Sequence, residues 1–328
     1  MPGQKPLSKL LGVSGKTVEL ALALLEKEGI LVGQGTGRRR RIALPEGEIE
    51  RSMLRVAILH YEPVSQGPGY VVMLRHLLEE AGHSAFFAEK CLLELGMDTQ
   101  RVARLVGRSE ADAWIVVSGS REVLEWFAGQ GIPTMALFGR RRSVPIAGAG
   151  PDHIPAYRAA VQRLIALGHR RIVMLFRQNL RIGGPSLIQR VIFEEMAAQG
   201  IPTGRFNLPN WDDTPEGFHR LLDELFRVTP PSALLIDEAF LFAAAQQHLA
   251  QRGILAPEHV SLVCSDPDPT FAWCRPTIAH TRWDFHPVLR RVVRWANNVA
   301  RGKDDRRQTF SKAEFVDGGT LGRAPAAR

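Results

Sequence analysis

From Arg55 almost to the C-terminus, short apolar runs alternate with amphipathic stretches. The runs are Arg55–His60, Ser84–Ala88, Ala113–Val117, Thr134–Phe138, Ile146–Ala149, Arg171–Phe176, Ala233–Ile236 and Ser261–Cys264. Their length and their content of Val, Ile, Leu and Phe predict buried strands. Apolar residues at helical spacing predict helices over Tyr70–Ala81, Arg101–Gly107, Arg121–Gln130, Ile154–Leu167, Ser186–Gln199, Pro215–Arg227, Phe240–Arg252 and Pro287–Arg301. Strand–helix alternation of this kind predicts parallel sheets with helices on their faces. Its span of about 250 residues predicts more than one sheet.

The first 42 residues follow a different pattern. Leu7, Leu10 and Leu11 share one face of a short helix that Gly12 ends. Ser14 is placed to cap a second helix, where Val18, Leu22 and Leu25 form the apolar stripe and Ala21 and Leu24 lie beside it. Gly29 ends that helix. Ile30–Val32, a run with glycine at positions 33, 35 and 37, and Arg38–Arg41 with Ile42 then fit a two-stranded ribbon with a tight tip. Helix, turn, helix and ribbon in this order make a winged helix-turn-helix. In such a module the N-terminal end of the second helix meets base edges and phosphates. Ser14, Lys16 and Thr17 are the candidates there, because hydroxyls, an ammonium and free backbone N–H groups all suit phosphate. Gln34, Thr36, Arg38 and Arg39 are the candidates on the ribbon, whose arginines suit a narrow minor groove. The glycine run is not a dinucleotide loop, since no helix follows it.

Residues 44–52 are polar, carry Pro45 and Gly47, and separate the two patterns as a linker. Residues 1–43 are thus expected to form a DNA-binding module, 44–53 a linker, 54–320 a two-lobed sensing region and 321–328 a tail. Charge sharpens this division. The net charge is +8, and the first 44 residues hold eight basic against three acidic groups, so +5 of it lies in the small module. An anionic partner is implied there, with a solvated basic tail as the bland alternative. No apolar run reaches the ~18 residues of a membrane span. The N-terminus lacks the basic-then-apolar layout of a secretion signal. Cys91, Cys264 and Cys274 fit no metal-ligand spacing and read as reduced thiols of a cytoplasmic protein.

Two resemblances attach to these residues. The pieces LSKLLGVS, KTV, LALLEKEGIL and the glycine–arginine ribbon resemble the winged helix of GntR-type bacterial repressors. Gly15 and Glu19 stand where that family usually has arginines. The family also has a further helix before this point, so a start upstream of Met1 is expected. Residues 55 to 320 resemble the LacI-type sensor, related to periplasmic sugar-binding proteins. RVAILHYE, LLEEAGHSAFFA, ADAWIVVSGS, LIALGHRRI, PSALLIDEAF and PTIAHTRWDF carry that resemblance, in order. It implies a type I periplasmic-binding-protein-like α/β domain of two lobes with a ligand cleft between them. It also implies a homodimer on double-stranded operator DNA and a sugar-like effector.

Open α/β sheets bind ligands at the C-terminal ends of their strands. That rule nominates Tyr61 with Glu62, Ser118 with Ser120, Arg177 with Gln178, Asp237 with Glu238, and Asp266. By resemblance, Asp237 and Asp266 match positions that bond ligand hydroxyls. Trp211 and Trp283 are candidate stacking platforms, against the commoner role of tryptophan as core. Sugar-binding members carry an arginine early in the helix beginning near Ser186. Ile188 or Gln189 falls there with Arg190 beside it, so either Arg190 serves or the ligand is not a typical sugar. The basic run RQNLRIGGP equally suits an anionic ligand.

The leading expectation is a ligand-responsive transcriptional regulator, read as a repressor, with no cofactor and no metal. A ligand-binding protein with a vestigial DNA module is one alternative. An enzyme is the other, although the chain has no phosphate loop, no nucleophile elbow and no metal-spaced cluster.

Overall fold

The structure is a computed structural model that describes residues 4–27, 31–32, 41–42, 53–63, 69–177 and 186–325. The chain divides into two compact units, Met1–Ser52 and Met53–Arg328.

In the small unit, α1 (Gln4–Leu11) and α2 (Gly15–Lys27) precede β1 (Leu31–Val32) and β2 (Arg41–Ile42). The two strands pair antiparallel, Leu31 opposite Ile42 and Val32 opposite Arg41. Gly12 turns the chain at φ +64°, a left-handed conformation that glycine adopts without a Cβ penalty. Ser14 then caps α2, its Oγ accepting from the Thr17 backbone N–H at 3.1 Å. Val18, Leu22 and Leu31 are buried together, with Leu7 and Leu25 packed against them. Leu10, Leu11 and Leu24, expected on the apolar side, are instead exposed. The ribbon tip with Gln34, Thr36, Arg38 and Arg39, Ala43, and residues 44–52 of the expected linker lie outside the described residues.

The large unit begins with β3 (Arg55–Leu59), α3 (Tyr70–Glu80), β4 (Ser84–Phe87), α4 (Thr99–Arg108), β5 (Ala113–Val117), α5 (Arg121–Gly129), β6 (Thr134–Leu137) and β7 (Ala147–Asp152). It continues with α6 (Ile154–Ala166), β8 (Ile172–Leu175), α7 (Leu187–Ala198), α8 (Pro215–Val228), β9 (Ala233–Ile236), α9 (Ala239–Ala250), β10 (Ser261–Cys264), β11 (Ala279–Trp283), α10 (His286–Val299) and β12 (Gln308–Val316). The strands run in the order β4-β3-β5-β6-β7-β12-β11-β10-β9-β8. Every neighbouring pair is parallel except β11 with β12.

Both faces of each sheet half are covered, which is why the strands read as continuous apolar runs. Val56 and Ile58 of β3 face one core while Ala57 and Leu59 face the other. Val173 and Leu175 of β8 face a third, and Ile172 and Met174 a fourth. These four cores define two lobes. The chain crosses between them three times. β7 runs on into α6, which packs in the second lobe. β11 runs on into α10, which returns Val288, Leu289, Val292 and Trp295 to the first. β12 is shared: Gln308–Lys312 pair with β7 and Ala313–Val316 pair with β11. The segment after β12 returns to the second lobe. Buried His169, within the LIALGHRRI run, places Nε2 3.0 Å from the Gly322 carbonyl and 2.9 Å from Ser261 Oγ.

The candidate ligand cleft and the exposed end of α2

Five parallel strands of the large unit send their C-terminal ends toward one place between the lobes: β3 delivers Tyr61 and Glu62, β6 Phe138, β8 Arg177, β9 Asp237 and Glu238, and β10 Asp266. The backbone is forced there. Ser118, Phe138 and Glu238, each just past a strand, adopt φ of 57°, 58° and 63°. Left-handed backbone at a residue with a Cβ costs on the order of 1 kcal/mol or more, and such residues gather at ligand sites. Gly139 follows Phe138 at φ +61°, and a Cβ on it would lie 2.5 Å from the Gly119 carbonyl oxygen.

Arg177 is the organising side chain. Its Nη1 donates to Glu62 Oε2 across the cleft at 2.7 Å, and its Nε donates to Asp213 Oδ2 at 3.1 Å. Glu238 Oε2 lies 3.5 Å from the same Nη1. The guanidinium also sits over the rings of Tyr61 and Phe240, 5.3 and 5.7 Å from their centroids. Burial by itself would lower the Arg177 pKa; Glu238, Glu62 and Asp213 outweigh it and hold the charge.

Asp237 and Asp266 lie deeper. Asp237 is 8% exposed and accepts from Ser265 Oγ at 2.9 Å. Burial lifts its carboxyl to about 6. Burial and then the charge of Asp237 lift Asp266 to about 7. Burial, followed by Asp237, lifts Glu238 to about 8. The remaining walls are aromatic. Tyr70, at the start of α3, lies 4.6 Å from Phe285 and 5.5 Å from Phe138 between ring centroids. Trp283 lies 5.5 Å from Phe138 and 5.4 Å from Phe285. His153 joins Trp283 to Tyr157 at 6.3 and 6.0 Å, and burial lowers its pKa to about 4, so the ring is neutral.

The structure thus gathers Tyr61, Glu62, Arg177, Asp237, Glu238 and Asp266 from the sequence-based candidates. Ser118 stands at its strand end, half-buried, while Ser120 is the cap of α5 and accepts from Val123 N–H. Gln178 lies outside the described residues. Two expectations are corrected. Arg190 is exposed on α7, where its charge acts on Arg140. Its neighbour Gln189 is buried and closes the capping box of α7 with Ser186. Trp211 is no platform either: it is 6% exposed, packs on Phe218, and donates from Nε1 to the Phe176 carbonyl at 3.2 Å. The commoner core role weighed against the platform in the sequence is the one this tryptophan takes. Here it anchors the segment that presents Asp213 to Arg177. Sequence reasoning missed Phe138, which the strand-end rule reaches at β6 but which as an apolar residue was not nominated, and Tyr70, Asp213, Tyr157 and Phe285, which lie on helix starts, loops and crossovers that the rule does not reach.

On the small unit, Ser14, Lys16 and Thr17 are all exposed at the N-terminal end of α2. Ser14 Oγ and Thr17 Oγ1 lie 2.7 Å apart, within hydrogen-bond distance of each other.

Residues 161–321 match the model of a periplasmic binding protein-like domain. The whole two-lobed arrangement is matched by solved structures. One is a sugar-binding LacI-family regulator from Escherichia coli complexed with phosphate, 21% identical over 83% of this chain and 99% of that one, with TM-score 0.62. The large unit has the LacI-type sensor fold. A LacI-family regulator from Enterococcus faecium with bound ribose shares it at 14% identity, over 82% of this chain and 99% of that one, with TM-score 0.61. So does the Lac repressor dimer bound to operator and the anti-inducer ONPF, at 15% identity, 83% and 96% coverage and TM-score 0.65. No curated protein matches. These matches are LacI-family regulators, and they correct the GntR-type reading of the N-terminal segment. That reading rested on a helix pair and a ribbon. Two helices joined by a glycine turn and a short antiparallel pair are general solutions for a small DNA-reading unit, and Gly15 and Glu19 lack the chemistry specific to the GntR type.

Proposed function

We propose that the chain is a ligand-responsive DNA-binding transcriptional regulator of repressor type, not an enzyme. Two copies grip double-stranded operator DNA, and a small molecule in the cleft changes operator affinity. The observation that carries this reading is a LacI-type sensor fold with a polar cleft lined from both lobes, in one chain with a basic helix-turn-helix unit. The effector acts by its difference in affinity for the two lobe arrangements; equal affinity would shift nothing. In the described part, no helix is long and apolar enough to cross a membrane, and a DNA-binding role places the protein in the cytoplasm. Ser14, Lys16 and Thr17, with Gln34, Thr36, Arg38 and Arg39, are the proposed DNA contacts. Tyr61, Arg177, Asp237 and Asp266, with Ser118 at the rim, are the proposed effector contacts.

A mobility-shift titration with the DNA upstream of its own gene tests this. Binding should weaken steeply as salt rises, because Lys and Arg release counterions from phosphates. Lys16→Ala should weaken binding to every DNA sequence alike and reduce the salt slope by about one, while effector affinity stays unchanged. DNA binding that ignores both salt and Lys16 would remove α2 from the interface.

A further inference from the structure

Away from the ligand cleft, α10, the turn after it and the start of β12 line a cavity of about 530 Å³. Five basic side chains stand in its wall, Arg290, Arg291, Arg294, Lys303 and Arg307, against two acidic ones, Asp304 and Asp305. It shares none of its lining with Tyr61, Glu62, Arg177, Asp237, Glu238 or Asp266. We propose that this cavity is a second binding site, for a small anion that carries two linked phosphate groups. Binding there depends neither on the cleft nor on the reading of the chain as a regulator.

Both acids of the wall are already engaged. Arg291, 7% exposed, donates from Nη1 to Asp305 Oδ2 at 2.9 Å and from Nη2 to Asp305 Oδ1 at 2.7 Å. Asn298 Nδ2 and the Arg307 backbone N–H donate to the same carboxylate at 2.8 and 3.2 Å. Arg291 Nη2 also donates to the Arg307 carbonyl at 2.7 Å. Asp304 pairs with Arg306 at 2.9 Å. The Arg291–Asp305 pair is thus a buried brace, neutral in sum, that ties α10 to the turn and to the start of β12. It fixes where the other cations stand. Arg290, Arg294, Lys303 and Arg307 are exposed, and none of them pairs with a carboxylate among the described residues. Arg290 and Arg294 are one helical turn apart and so share a face of α10. A concave wall of one sign concentrates its field on the space it encloses. Guanidinium forks suit phosphate oxygens, which they meet in pairs of hydrogen bonds. One phosphate carries a charge of roughly −1.5 to −2 and balances only part of four cations; two linked phosphates balance most of it. Thr309 and Ser311 of β12 add hydroxyls to the wall. Ser311 Oγ and Arg291 Nε are buried donors there with no hydrogen-bond partner, where such groups are ordinarily bonded. The volume lies within the ~300–1,000 Å³ of small-molecule sites, which leaves room for a body beyond the phosphates.

Calorimetric titration of the full chain, without divalent cations, tests this with inorganic pyrophosphate against orthophosphate and with ADP against AMP. The diphosphate of each pair should bind tenfold or more tightly than the monophosphate. Arg294→Gln and Arg290→Gln should each weaken pyrophosphate fivefold or more, and Arg307→Gln should weaken it too. Arg227→Gln, which removes an exposed charge from α8 in the other lobe, should leave it unchanged. A thermal melt of each variant checks that it is folded. No pyrophosphate binding, equal binding of mono- and diphosphates, or binding that Arg294→Gln and Arg307→Gln leave intact overturns the site. Duplex DNA provides the remaining arm. If it displaces pyrophosphate, and Arg294→Gln weakens DNA as much as pyrophosphate, the cavity is a DNA contact and the small-molecule assignment falls.

Discussion

A guanidinium shared by Glu62 of one lobe and Asp213 and Glu238 of the other ties the cleft together with one side chain. Arg177→Met should therefore destabilise the protein by roughly 3 kcal/mol, because three carboxylates lose their cation in a largely buried site; chemical denaturation measures this, and a loss near zero would show that the acids are solvated. The acids also set a pH dependence. Asp237, Glu238 and Asp266 have folded pKa values raised to about 6, 8 and 7, from 3.8, 4.5 and 3.8. The folded state binds their protons more tightly than the unfolded chain does. Their contribution is complete below about pH 4 and is lost as pH rises through 6 to 8. The melting temperature should fall between pH 5.5 and 8.5, and Asp266→Asn should flatten that fall; an unchanged slope would remove Asp266 from it. Arg177, Asp237 and Asp266 were legible in sequence, because each follows a recognisable apolar strand. Trp211 stood open between platform and core, and the packing on Phe218 with the bond to the Phe176 carbonyl places it in a core.

At the scale of elements, all eight strands and eight helices expected after residue 54 are present, with ends displaced by no more than three residues. β11 and β12 were missed. AHTRW and QTFSKAEFV are polar and only partly buried, and they form strands because they pair antiparallel with each other and parallel with β10 and β7. Their stability comes from neighbours far away in sequence, which a local pattern cannot register. The turn after β6 has a similar non-local cause. Gly139 needs both its left-handed backbone and its missing Cβ, because Gly119 passes within contact of it. Gly139→Ala should cost at least about 1–2 kcal/mol from the backbone alone, and the clash with Gly119 adds to that and displaces Ser118 and Phe138. Denaturation compared with Gly131→Ala, also left-handed but with open space around its Cβ position, isolates the clash. Equal losses would mean that the two turns are free to separate.

At the scale of the whole molecule, the sequence alone determined the two kinds of architecture and the uneven charge. Periodicity near 3.6 and short apolar runs are local consequences of which faces must be buried, so the alternation of strands and helices could be read directly. The concentration of basic groups in the first 44 residues needed no coordinates either. The tertiary structure decided what the pattern left open. It made β12 a strand common to both lobes, returned α10 to the first lobe, and brought the segment around Gly322 to His169. It also chose the members of the cleft. Tyr70, Phe138, Trp283 and Phe285 come together from segments up to about 200 residues apart. Such meetings depend on strand order and on the three crossings between lobes. Those are set by the summed burial of four cores, and no single stretch of the chain records them.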